Sequence, residues 1–150
     1  KLDDNAIILF KSVCYGAGSS ASDDGDIGLK EAIKRVSNYS NPFFKTGAQA
    51  YYANNMGGGI VQFLEKFFDG KSAVAIFDEV VGGFSKKESI ETYKYDATKK
   101  IGIGSTDWGG MVTRTTYKNG VKKVEKIPAS KDYDIAVVAA ESYSIHQMLK

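Results

Sequence analysis

The sequence predicts an α/β fold built on a mainly parallel sheet, and three stretches predict it. Residues Ala6 to Val13 (AIILFKSV) form a short, β-rich apolar run without clean alternation, as expected of a strand covered on both faces. Residues Ile27 to Ser37 place Leu29, Ile33 and Val36 on one helical face. Residues Ala48 to Ala53 (AQAYYA) then return to strand character. Strand, helix, strand is by default a right-handed βαβ unit.

A chain of 150 residues is the size of one domain, so residues 1–150 are read as one unit that buries a core without disulfides or metals. Because 43% of the residues are hydrophobic and 25% charged, with 16 Gly and 2 Pro, disorder and collagen are excluded. Twenty basic and 18 acidic residues spread along the chain leave a net charge of +2, which argues against nucleic acid as a partner. Lys118, Lys122, Lys123 and Lys126 surround Asn119-Gly120, a hairpin tip, and read as a solvated edge. One cysteine and one histidine exclude a disulfide framework and the usual zinc ligand sets, so no metal or cofactor is expected. No apolar run approaches the ~20 residues of a transmembrane helix. The chain opens on Lys1 rather than Met, which reads as a processed or excised piece, and compartment stays open.

After the first strand, Gly16 and Gly18 permit positive φ, and Ser19 to Asp26 reads as loop, with Asp24 or Asp26 as helix N-cap. Pro42 suits the first turn of a short helix in which Phe43 and Phe44 dock inward, closed by Gly47. Residues 54–59 make a second glycine-rich loop at the same end of the sheet as Cys14, since each loop follows a strand's carboxyl end. Ile60 to Asp69 is a helix stopped by Gly70, and Ser72 caps another running to Val81. Ser85 with Glu88 forms a capping box, which predicts a third helix to about Tyr95. Beyond Ile101, runs 111–117 and 121–127 flank Lys118-Asn119-Gly120 as a hairpin, and Asp134 to Ala140 is a last strand.

Several patterns bear on chemistry. Gly16-Ala17-Gly18-Ser19-Ser20-Ala21 matches GxGxxA, yet the residues after it are poor helix formers, so the helix N-terminus that holds a pyrophosphate is missing from the pattern. Ser20 to Glu31 can be laid on a calcium loop, but its first and third places are the uncharged Ser20 and Ser22. Cys14 is either a small buried hydrophobe or a nucleophile, and the second role needs a base and N–H groups for an oxyanion. Gly16 and Gly18 are the candidates to supply those groups; His146, near the end of a C-terminal helix, is the one histidine available as base. Trp108, with Tyr51, Tyr52, Tyr93, Tyr95 and Tyr117, is the candidate lining of a sugar or peptide groove.

The strand ending in Cys14, its glycine and serine loop, and Phe43-Phe44-Lys45-Thr46-Gly47-Ala48 leading into a strand, a loop and a helix ending at Phe67-Phe68-Asp69-Gly70 together resemble the caspase-like cysteine peptidase superfamily of clostripain, gingipain and CHAT proteins. More narrowly, Cys14-Tyr15-Gly16-Ala17-Gly18-Ser19 and Arg35-Val36-Ser37-Asn38-Tyr39 look like a bacterial and archaeal surface-protein family with a CYASGN-type motif. The resemblance covers about residues 3–80. It implies the second half of a three-layer caspase-like module with a mainly parallel sheet, followed over residues 85–150 by a β-rich tail of helix, hairpin and final strand. It also implies a secreted or cell-surface origin, with Cys14 in the nucleophile's place. The superfamily's His-Gly has no counterpart in this chain. The expectation is therefore a peptidase-related module inactive by itself unless an N-terminal half or a partner chain supplies a histidine. The alternative is a non-catalytic surface or adhesion domain for a protein, peptide or glycan.

Overall fold

The computed structural model describes residues 2, 5–20, 22–23, 25–55, 59–107, 109, 111–128 and 131–149. In chain order the elements are β1 (Ile7–Lys11), α1 (Leu29–Lys45), β2 (Ala50–Asn54), α2 (Ile60–Phe68), α3 (Ala73–Phe84), β3 (Lys86–Thr92), β4 (Lys99–Asp107), β5 (Met111–Lys118), β6 (Val121–Pro128), β7 (Lys131–Ala140) and α4 (Ile145–Met148).

Five strands form one sheet in the order β1-β2-β7-β4-β3, and β5 and β6 form a separate two-stranded sheet. The main sheet is mixed and mostly antiparallel: β1 and β2 run parallel, with Ile8 opposite Tyr51, while the other three neighbouring pairs are antiparallel. This overturns the expected caspase-like sheet, which was mainly parallel with a β-rich tail. The supposed tail supplies three of the five strands, and β7 lies between β2 and β4 with Tyr52 opposite Val137 and Ile101 opposite Val138. Only one helical crossover, α1, joins neighbouring strands; the later strands arrive through connections that allow antiparallel pairing.

Both faces of the sheet are covered. On one, Tyr52, Ile135, Val137 and Ala139 pack beneath Phe63, Phe67, Phe77 and Val81 of α2 and α3. On the other, Tyr51, Ala53, Ala136, Val138, Ile101 and Ile103 pack with Ala32 and Val36 of α1. Residues of β7 from Tyr133 to Ala139 are all buried, which is why IAVVAA lacks alternation. Helix α3 approaches β4 where two residues have no side chain: a Cβ at Gly102 would lie 2.7 Å from Phe77, and one at Gly104 would lie 2.5 Å from Ile135. Burying a ring such as Phe77 contributes roughly 2–3 kcal/mol.

Two helical expectations are corrected. Pro42 lies inside α1 rather than opening a separate helix, and α1 runs unbroken through it. Phe43 stacks against Phe10, Tyr39 and Tyr51, and Phe44 against Tyr93, so tertiary packing offsets the backbone hydrogen bond that proline cannot make. The Ser85/Glu88 capping box opens a strand, β3, not a helix. Ser85 is instead the C-cap of α3, and Glu88 accepts from Ser105 at 2.7 Å and pairs with Lys131 at 3.0 Å. Those long-range partners outcompete local helix capping.

Candidate functional site at the carboxyl end of the first strands

Cys14 follows β1 and lies in a loop pinned at several points. Val13 N–H donates to Asn54 O, and the Tyr51 hydroxyl donates to Gly16 O at 2.9 Å. Ser19 N–H donates to Tyr133 O at 2.9 Å, and Tyr133 N–H returns to Ser19 Oγ at 2.8 Å. The loop is therefore stitched to both β2 and β7. Its glycines are required by space: a Cβ at Gly16 would stand 2.7 Å from the Tyr51 hydroxyl, and one at Gly18 would stand 2.7 Å from Tyr133 Cβ. Gly18 also holds φ +128°, which a side chain would strain.

Cys14 is exposed, and its thiol faces the Asn55 carboxamide oxygen at 3.8 Å. Three of the loop's N–H groups are bonded within the loop. Tyr15 donates to Ser19 O, Gly16 to Cys14 O and Gly18 to Tyr15 O, so the N–H groups of both glycines already have acceptors. The one histidine is at the other end of the sheet. Lys11, just before Cys14, lies level with Asn54 and Ile135, whereas His146 follows Ala140, the far end of β7. Those two ends of β7 are separated by roughly 15 Å of strand. His146 packs over Gly70, with Nε2 2.9 Å from where a Cβ there would be.

Beside the loop, sequence reasoning missed an ion pair. Arg35 of α1 binds both oxygens of Asp23 at 2.7 and 2.9 Å, reaches Gly18 O at 3.4 Å and lies 4.8 Å from the centre of the Tyr15 ring. Burial opposes ionisation of Asp23, but its bonds from Arg35 and Ser20 N–H outweigh this and hold its pKa below the ordinary value. The pair fastens the second half of the loop to α1.

A second polar group, also missed, lies on the face covered by α2 and α3. Asp134 is 4% exposed and accepts from Thr106 Oγ1 at 2.7 Å and Ser85 Oγ at 3.3 Å through one carboxylate oxygen. Its other oxygen, the Asn54 carboxamide oxygen and the Tyr52 hydroxyl are buried with no hydrogen-bond partner among the described residues. Burial raises the Asp134 pKa against the donors that lower it. Burial likewise raises the Tyr52 hydroxyl; the adjoining Asn54 amide opposes this, and the charge of Asp134 adds to it. The only sequence signal for this group was a lone charge opening an apolar run.

The expected aromatic groove is not assembled from its tyrosines. Tyr51, Tyr52 and Tyr93 are core residues, Tyr95 and Tyr117 are exposed, and Trp108 lies outside the described residues. In the loop after β2, Asn54, Asn55 and Gly59 are described, and Asn55 is the residue that meets Cys14. A shallow depression of about 380 Å³ lined by Leu2, Pro42, Phe43 and Thr46 lies at the opposite end of the sheet from Cys14. Among the described residues, no three His, Cys, Asp or Glu side chains are grouped to hold a metal ion, and no helix is long and apolar enough to cross a membrane.

The β5–β6 ribbon is a separate antiparallel pair whose ladder runs from Met111 opposite Pro128 to Lys118 opposite Val121. Asn119-Gly120 closes it with φ +52° and +78°, the conformation its turn demands. Met111, Tyr117, Val121 and Val124 are 56–71% exposed. Comparisons with protein-family models, with curated proteins and with solved structures return no match, so the site is interpreted from its geometry alone.

Proposed function

We propose that this chain is a non-catalytic protein-interaction module, in which the helix-covered sheet is a scaffold and the β5–β6 ribbon is the contact element. The observation that carries the reading is the ribbon itself, a two-stranded sheet that leaves Met111, Tyr117, Val121 and Val124 outside any core. Such a ribbon is marginal by itself and gains stability by meeting another surface. A thermal unfolding comparison tests it. Replacing residues 110–129 by a short Gly-Ser turn leaves the melting temperature within about 3 °C of the parent, because the ribbon adds little to the body. A drop of more than about 10 °C would make the ribbon a structural part of the fold and end the reading.

A second reading, peptidase-related thiol chemistry at Cys14, is favoured by the exposure of its thiol beside Asn55. It requires a base brought by another chain, because His146 is at the far end of the sheet. Iodoacetamide labelling at neutral pH separates the two. Labelling at the rate of an ordinary thiol supports the interaction module; strong acceleration, or peptide hydrolysis lost in Cys14→Ala, supports chemistry.

A further inference from the structure

We infer that one face of the β5–β6 ribbon is the docking face and that its occupant is an acidic, extended segment of another protein, with carboxylates spaced to meet Lys122 and Lys126. The inference rests on the interaction-module reading and gives the partner a chemistry.

Charge is divided unevenly along the chain. Residues 111–128 carry Arg114, Lys118, Lys122, Lys123 and Lys126 against Glu125, a net charge of +4; the remaining residues, with 15 basic and 17 acidic, carry −2. The pleat then splits the ribbon's cations between two faces, because residues opposite each other in a ladder point to the same side and neighbours along a strand to opposite sides. Tyr117 opposite Lys122, Thr115 opposite Val124 and Thr113 opposite Lys126 lie on one face. Arg114 opposite Glu125 and Lys118 opposite Val121 lie on the other, together with Lys123.

The two faces differ in how their charge is met. On the second, Glu125 stands opposite Arg114 and bonds Lys123 at 2.6 Å, so part of the positive charge is compensated within the ribbon. The first face has no carboxylate of its own, and Lys122 and Lys126 share it with Met111, Tyr117 and Val124, all exposed. Aromatic and methionine side chains bordered by charge are the composition of a protein-contact patch. Uncompensated lysines beside them select a partner of opposite sign and reject one of like sign. Two lysines are few for a nucleic-acid backbone, where affinity grows with each phosphate neutralised. The spacing narrows the partner further. Lys122 and Lys126 are four residues apart on β6, roughly 13–14 Å of strand, with Val124 midway. An extended segment with carboxylates four residues apart and an apolar residue between them reaches both lysines and Val124 at once.

Titration of the full chain with a peptide of three Glu-Thr-Val-Thr repeats, followed by amide NMR at about 0.15 M salt to screen long-range attraction, tests this. The amide signals of residues 111–128 shift saturably. Glutamine in place of the peptide's glutamates weakens binding about tenfold, as does the double variant Lys122→Glu with Lys126→Glu. That double variant instead binds the corresponding Lys-Thr-Val-Thr peptide, which the parent does not. Lys123→Glu, on the opposite face, leaves binding within about twofold of the parent. Circular dichroism melts matching the parent exclude misfolding as the cause. An absence of saturable shifts, equal binding of the glutamine peptide, or a Lys123→Glu loss as large as that of the double variant would each overturn the proposal. Tighter binding to phosphatidylserine vesicles than to the glutamate peptide would also overturn it, by giving the face to an anionic lipid surface. Failure here with a ribbon still dispensable for stability leaves the interaction-module reading standing with a different partner. A ribbon whose removal melts the body removes both.

Discussion

The β4–β7 pair and the β5–β6 pair are both antiparallel, and their side chains end in opposite environments. Along β7 the run Ile135–Ala139 is small and apolar at every position and is buried on both faces. Along β5 and β6, threonines and lysines alternate with Met111, Tyr117, Val121 and Val124, and those apolar side chains stay in solvent. Both pairs are antiparallel, β4–β7 with a register irregularity between Gly104 and Ser105. What differs is side-chain volume and charge, which decide whether helices can close over a sheet. Gly102 and Gly104 in β4 make the approach of α3 possible, whereas a Cβ at Gly109 or Gly120 would meet nothing within 4 Å.

The comparison breaks most visibly at Gly104. Gly104→Val places methyl groups where Ile135 and Val81 already pack, and it is expected to cost about 3 kcal/mol, measured by urea unfolding. An effect under about 1 kcal/mol would mean that α3 is not held against β4. Next in size is Tyr51→Phe, which leaves Gly16 O without its donor and is expected to cost roughly 1–1.5 kcal/mol. Faster amide exchange around Cys14 in that variant would show that Tyr51 anchors the loop.

At about 1 kcal/mol and of opposite sign stands Asp134→Asn, which keeps an acceptor for Thr106 and Ser85 and removes a buried charge. The folded-state pKa of Asp134 lies above its ordinary 3.8, so its favourable contribution is complete below that value and is lost as pH rises through the raised folded value. The variant is therefore expected to melt higher than the parent at pH 7 and to converge with it near pH 3. A gap that widens toward low pH would reverse the sign and refute the assignment. Smallest is Tyr117→Thr in the ribbon, at less than about 0.5 kcal/mol on monomer stability. A larger loss would erase the distinction between the two strand pairs.

Much of the scaffold was legible. β1, β2, α2, α3 and the β5–β6 hairpin follow from apolar runs, glycine stops and Asn119-Gly120, because those signals are local. α1 was legible as a helix but not in its length, since Pro42 hid a continuation held by Phe43 and Phe44. β3 was misread because Ser85 and Glu88 satisfy a local helix rule while their actual partners, Thr106, Asp134, Ser105 and Lys131, are distant in sequence. The direction of β7 was illegible for a similar reason, as an apolar run does not say which neighbours it pairs with. In the candidate site, Cys14 and its loop could be placed at a strand's carboxyl end. That His146 stands at the opposite end, and that the N–H groups of Gly16 and Gly18 are taken up by carbonyls of their own loop, depended on the path of β7 and on a loop held by Tyr51 and Tyr133.

The central place of β7 has a consequence for how the chain folds. β1, α1 and β2 are contiguous in sequence, yet the inner edge of β2 pairs with residues 135–139, more than 80 positions later. During synthesis the early βαβ unit therefore keeps an open strand edge until residues 135–139 have emerged. Closure of the sheet by β7 couples the folding of residues 7–54 to that of residues 99–140, pairings of high sequence separation that slow folding.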